Sequence, residues 1–265
     1  MSEAIEAINA DRTALLDIAR GLTAEQWQAP SGCAGWRVQD VVAHLGNLFW
    51  LVVDPATLPD TAGLPTEAAQ EAAVEARRDW SAAEVLADYE TVSKTALDRL
   101  SELAGLDGEL PLGDLGTYRL AMLPSAYSFD HYTHIRADLF APRGPLTGEP
   151  PPSDELRLGS ALDWVEAALP QQNAAAAGAC TLEIHVSGTV SGGTGSGGRG
   201  SASTGSASTG ARLIRFGHGQ ATATISSDGP ALVRWITQRG TWAELGVEVA
   251  GDAAALAAAR TLKVF

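Results

Sequence analysis

Cysteine is scarce in this chain: among 265 residues only Cys33 and Cys180 occur. They lie far apart, in what read as different domains, which excludes a disulfide framework and fits a reducing compartment. Basic residues are also few, 18 Lys and Arg against 32 Asp and Glu, for a formal net charge of -14. Such a surface repels phosphates and anionic headgroups, so neither nucleic acid nor a membrane surface is expected as a partner. Long apolar runs are missing too. The longest, around residues 41–53, is interrupted by His44 and Asn47 and is too short to span a bilayer. The opening MSEAIEAINADRTALLDIARGL has early acidic residues and no unbroken apolar stretch, so no signal peptide is expected and the chain is expected in the cytoplasm.

What is present is enough to fill real cores: 45% hydrophobic residues and seven tryptophans. The length favours two domains. Ile5, Ile8, Leu15, Ala19 and Leu22 recur at helical spacing over residues 2–22. Thr23 with Gln26, and later Ser81 with Glu84, have the spacing of capping boxes. A helix is predicted from Val38 to about Val53, stopping at Pro55. Residues 66–104 read as helical with a possible break near Trp80, GLDGELPLGDLGT as loop, and a last helix as running from about Leu120 to Phe140 with Pro124 in its first turn. Four amphipathic segments predict an antiparallel four-helix bundle over residues 1–141.

The Pro/Gly-rich segment 142–153 predicts a linker. Beyond it, 154–265 reads as a small α+β domain. LGSALDWVEAAL is a helix, while CTLEIHVSG, ARLIRFG and QATATISS are strands. DGPALVRWITQRG is an Asp-capped helix, GVEVAGD a short strand, and AAALAAARTLKVF a closing helix. At about 187–210 lies a Gly/Ser/Thr/Ala insertion whose composition predicts a flexible excursion from a hairpin. Its GTGSGG run lacks both the Lys-Ser/Thr ending and a following helix, so it is not read as a phosphate loop.

One constellation carries chemistry. Asp130 and His134 are four residues apart on the predicted last helix, so their side chains share a face. His44 shares the inward face of its own helix with Val41, Leu45 and Leu48. Three donors with a position left open are what a catalytic zinc ion requires. Spacing alone equally allows a hydrogen-bonded core histidine and a surface Asp–His pair. Tyr127 and Asp138 extend the Asp130/His134 stripe, and His131 points a quarter turn away. Tyr127 is either part of the metal cavity or packing. Cys33, nearly three helical turns from His44, is not counted as a ligand, Trp36 reads as a core anchor, and Asp40 reads as a first-turn helix residue.

The stretch APSGCAGWRVQDVVAHL resembles the opening signature of the mycothiol-dependent maleylpyruvate isomerase family, actinobacterial members of the DinB-like helical bundle superfamily. The resemblance rests on Cys33, Gly35, Trp36, Val38, Asp40, His44 and Leu45, and at the end of the bundle on Asp130, His134, Asp138 and Leu139. The second half, through LVRWITQRGTWAELGVEVAGD, is similar more weakly to the family's small sterol-carrier-like α+β domain. The Ala/Gly-rich composition fits an actinobacterial source.

The resemblance implies that His44, Asp130 and His134 are zinc ligands, or ligands of another divalent metal. Asp130 stands where the family usually has Glu, which leaves open whether Asp130 or His131 completes the site or the metal is lost. It further implies a cofactor, mycothiol or a similar low-molecular-weight thiol, whose metal-bound thiolate attacks a small electrophile, as an isomerase or an S-transferase. Tyr127 and His131 are the candidate substrate-binding residues. Arg239, matching the family's Gly-Arg turn with Gln238 in place of Gly, is the candidate catalytic cation for an anionic substrate. Its competing reading is an exposed helix-end arginine. A noncatalytic metal- or ligand-binding sensor, and a scaffold that has lost its metal, are the alternatives in function. Oligomeric state is not legible.

Overall fold

The helical periodicities become packed helices in the computed structural model, which describes residues 2–188 and 211–265. Helix α1 (Glu3–Arg20) buries Ile5, Ile8, Leu15 and Ala19. Helix α2 (Ala24–Gln28) is a single turn started by the Thr23/Gln26 capping box. Helix α3 (Val38–Val53) is buried at every position from Val38 to Phe49, so it runs through the middle of the helical half. Helices α4 (Thr66–Glu75) and α5 (Ala82–Ala104) are separated around Trp80, and the Ser81/Glu84 box restarts the chain as α5.

The segment 105–117, expected as plain loop, instead holds most of a small hairpin. Strand β1 (Glu109–Pro111) pairs antiparallel with β2 (Thr117–Arg119). Helix α6 (Leu123–Thr133) accepts Pro124 in its first turn and continues as a π-helical turn, His134–Leu139. A π turn adds one residue to the usual repeat and is often retained where it re-aims side chains. Helices α1, α3, α5 and α6 surround the first core.

The second half begins with α7 (Glu155–Gln172), capped by Asp154. Strands β3 (Leu182–Ser187), β4 (Arg212–Phe216) and β5 (Ala223–Asp228) follow, then α8 (Gly229–Ile236) on its Asp228 cap. Helix α9 (Trp242–Leu245), β6 (Glu248–Gly251) and α10 (Ala253–Ala259) complete it. The sheet order is β4-β3-β5-β6, with β3 and β5 parallel and both outer pairings antiparallel. The fold is thus a helical N-terminal region followed by a mixed-sheet α+β region. The Gly/Ser-rich insertion expected at about 187–210 lies, from residue 189 onward, outside the described residues.

The closing helix is shorter than expected. It ends at Ala259, and the tail turns back so that Val264 N–H donates to the Ile236 carbonyl at 2.9 Å and Leu262 and Val264 are buried. Two apolar clusters form, and Tyr118, Phe129 and Tyr132 from the helical half belong to the second. α6 therefore feeds both cores and holds the halves in register. A buried clamp reinforces it: Asp11 on α1 accepts from Arg136 on the π turn at 2.8 and 3.0 Å and from Arg157 on α7 at 3.0 Å. No helix among the described residues is long and apolar enough to cross a membrane.

Candidate functional site

His44 is buried on α3. Its Nδ1 is buried without a hydrogen-bond partner, a state that costs roughly 1–3 kcal/mol unless something satisfies the atom. Burial, with His134, His131 and Arg239 nearby, pushes the His44 pKa well below its ordinary value, so the ring is neutral and retains a lone pair. The His134 ring, from the facing α6 end, lies edge-on with centroids 4.8 Å apart.

On the π turn, His134 is held from behind. Its Nδ1 faces Asp138 Oδ2 at 2.9 Å, which fixes the tautomer with Nδ1–H donating and leaves Nε2 on the side of Asp130, 3.9 Å from Oδ1. Burial opposes charge on His134, but Cys33 and Asp138 outweigh it and lift the pKa to about 10. Asp130 is pushed above the usual carboxyl range by desolvation, against the pull of His134 and Arg239. His44, Asp130 and His134 each bring a donor atom to within 4.8 Å of the others.

Asp138 is fully buried and is bound from the α+β half of the chain. Arg239, which follows α8, donates from Nε to both Asp138 oxygens at 3.0 and 2.9 Å and from Nη2 to Oδ2 at 2.6 Å. Burial alone would raise Asp138, but His134 and Arg239 hold its pKa far below the usual range. Arg239 thus reaches from the α+β half to the helical half, with its fork engaged by a protein carboxylate, and its Nη1 rests on the Thr237 carbonyl at 3.2 Å. Gln238, the residue before it, has φ 59°, which turns the chain sharply enough for that reach.

Cys33 was discounted by its distance along the chain from His44, yet its Sγ lies 3.6 Å from His134 Nδ1 and 3.9 Å from Arg239 Nη2. The turn before α3 folds back on the π turn: Gly32 N–H donates to the Asp138 carbonyl at 2.8 Å, and a Cβ at Gly32 would meet Asp138 Oδ1 at 2.8 Å. Only glycine permits this approach. Cys33, His134 and Asp138 form a second set of converging donors. That set is the poorer cation site, because Arg239 already supplies a positive charge to Asp138 and lies beside the sulfur.

The remaining candidates divide. Tyr127 lines the cavity described below, but its hydroxyl is occupied by the Leu48 carbonyl at 2.7 Å. His131 does not line that cavity. Its Nδ1–H donates to the Tyr127 carbonyl at 2.8 Å and its Nε2 accepts from Tyr89 at 3.1 Å, which places it in the bundle core, so the expected substrate contact has no counterpart in its position. Trp36 is a cavity wall rather than a core anchor. Its ring stands 5.1 Å from that of His44, and its Nε1–H donates to Glu71 at 2.7 Å. Asp40 caps α3 through Arg37 N–H and pairs with Arg37 and Arg78, as a first-turn residue would.

A cavity of about 680 Å³ opens onto this group, with Cys33, Trp36, His44, Asp130, His134 and Arg239 in its lining. Two imidazoles and one carboxylate are a zinc-type donor set, and donors around such an ion lie roughly 3–4 Å apart. The neutral His44 with its orphaned nitrogen and the Asp138-oriented His134 fit such an ion. His134 must surrender a proton to bind it.

Residues 8–122 match the family model described as mycothiol maleylpyruvate isomerase N-terminal domain, a span that includes Cys33, Trp36 and His44. Two solved structures are similar over 94% of this chain and 93% of theirs. One is the mycothiol-dependent maleylpyruvate isomerase, 13% identical with TM-score 0.58, and the other is a histidine-to-alanine variant of a protein of that name, 12% identical with TM-score 0.59. At that identity the likeness is one of fold. A comparison with curated proteins gives no match. The family match thus covers the N-terminal helical region of the chain, from α1 to the residues just before α6.

Proposed function

We propose that this chain is a metal-dependent enzyme that uses mycothiol or a similar low-molecular-weight thiol on a small electrophile, as an isomerase or an S-transferase. The observation that carries this reading is the convergence of His44, Asp130 and His134 at the cavity, with Asp138 fixing His134 from behind. Zinc held by those three residues would lower the pKa of a bound thiol and make its thiolate available near neutral pH.

The chain's own groups have separable tasks. Asp138 sets the direction of His134 Nε2. Arg239 acts as a positioning residue by neutralising Asp138 and drawing the C-terminal region onto the site. Trp36 covers the two imidazoles, and Tyr127, tied to Leu48, keeps one wall rigid. A thiol bound in the cavity would supply a nucleophilic sulfur for addition to an activated double bond, reversibly in an isomerase or with proton uptake at the neighbouring carbon in a transferase.

Metal analysis of the purified protein beside His44→Ala and His134→Ala tests the proposal. Zinc near one equivalent in the parent and its loss from both variants are expected, together with thiol consumption in the presence of an electrophile. Undiminished metal in both variants would remove these residues as ligands. Bound metal with no thiol-dependent turnover across an electrophile panel would assign the noncatalytic binding role instead.

A further inference from the structure

The cavity has few charged side chains. Among the described residues its lining contains Glu67, Glu71 and Asp130, and a single arginine, Arg239, whose fork is already engaged by Asp138. Beyond the metal end, where His134 and the proposed cation sit, an anionic group would therefore meet Glu67 and the Arg78-paired Glu71 and no positively charged side chain in the lining, and juxtaposed like charges cost several kcal/mol. The rest of the wall is mainly apolar, with a few threonines and Gln70 among the hydrocarbon. Leu112, Leu115 and Leu123 come from the hairpin and the start of α6, Trp164 from α7, and Val264 from the tail.

The mouth points the same way. Seven large hydrophobic side chains are exposed among the described residues, and four of them, Leu51, Leu64, Leu110 and Phe265, line this one cavity at 36 to 50% exposure. Singly scattered apolar residues need no explanation, but a cluster at the entrance of a cavity marks a binding surface. Four separate segments supply them: α3, the stretch before α4, the β1 strand and the C-terminal tail.

Resting on the metal–thiol reading above, we infer that the electrophile this chain accepts has an uncharged, largely apolar body along this wall. The metal end binds the reacting atoms, and the leucine-rich wall binds the body of the substrate. Arg239 holds Asp138 and grips no substrate carboxylate.

Diethyl maleate and maleate test this, because they carry the same cis double bond and differ in charge. Binding is read from the fluorescence of the full purified chain, with Trp36 and Trp164 as cavity reporters, before and after chelation of metal. Thiol loss is read separately, with mycothiol as the nucleophile. Diethyl maleate should bind at least about tenfold more tightly than maleate. Leu64→Asp with Leu110→Asp, both exposed in the parent, should weaken the diester by about tenfold or more while leaving metal content unchanged. Maleate binding as tightly as its ester in both metal states, or aspartates without effect, would overturn the inference. A preference for the diester without enzyme-dependent thiol loss would uphold the ligand class and overturn the thiol-dependent reading.

Discussion

His131 and His134 lie three residues apart at the end of one helix, and their surroundings drive them in opposite directions. His131 sits in the bundle core, where burial lowers its pKa to about 4 and a carbonyl and a tyrosine hydroxyl satisfy the neutral ring. His134 is just as enclosed, yet Cys33 and Asp138 outweigh burial and raise it to about 10. Burial alone therefore does not identify a functional histidine. What distinguishes His134 is a carboxylate behind it and a cavity in front. The π turn makes this division possible, since it gives Asp138 its place beside His134 while Asp130 stays on the preceding turn.

The comparison is broken most severely at Asp138. Replacing it by Asn leaves Arg239 buried without its anion, and removing one partner of a buried pair costs about 3–5 kcal/mol. Loss of the group that orients a ligating histidine should also lower metal affinity about 10- to 100-fold. Calorimetric melting and metal competition would measure the two effects, and an unchanged result in both would detach Asp138 from the site.

The next effect concerns acid. The folded pKa of His131, about 4, lies below the ordinary value near 6.5, so between those values the unfolded chain binds more protons than the folded one. The stabilisation from keeping His131 neutral is complete above about pH 6.5 and is lost as pH falls through about 4, a change of the order of 3 kcal/mol. Urea unfolding at pH 7, 5.5 and 4.5 should show a shallower decline in His131→Gln than in the parent, with metal content unaffected. Parallel declines would show that His131 does not differ between the two states. In the metal-free protein His134 has the reverse sign: its raised pKa stabilises below about pH 6.5 and that contribution is lost as pH rises through about 10.

The smallest of the three changes sharpens the comparison from the other side. Gly32→Ala places a Cβ 2.8 Å from Asp138 Oδ1 and 2.9 Å from its Cα, an overlap worth about 1–3 kcal/mol. It should push the Cys33 turn off His134 and slow alkylation of His134-adjacent Cys33 relative to buried Cys180 to a different ratio than in the parent. Peptide mapping after iodoacetamide would read that ratio, and an identical ratio would mean the turn accommodates the methyl group elsewhere.

Much of the helical half could be read directly, because its signals are local. Thr23/Gln26 and Ser81/Glu84 are capping boxes in the structure, and the stripe through His44 is the inward face of α3. The Asp130/His134 pair was legible for the same reason, since four residues on a helix fix a shared face. The hairpin at 109–119 was not, because strands of three residues amid Gly and Pro have no alternation to display. The nearness of Cys33 to His134 was hidden because it depends on Gly32 packing against a turn more than a hundred residues later. Arg239 could be singled out by resemblance, but its partner could not, since nothing local tells whether a guanidinium meets a ligand or an aspartate a hundred residues earlier.

The Asp138–Arg239 pair also bears on how the two halves can be recombined. A chimera that grafts residues of the helical half onto an unrelated C-terminal module would strand an enclosed anion beside the imidazole it steers. Any such transplant must carry a matching guanidinium at the seam, so the helices and the sheet that follows them have to be moved together.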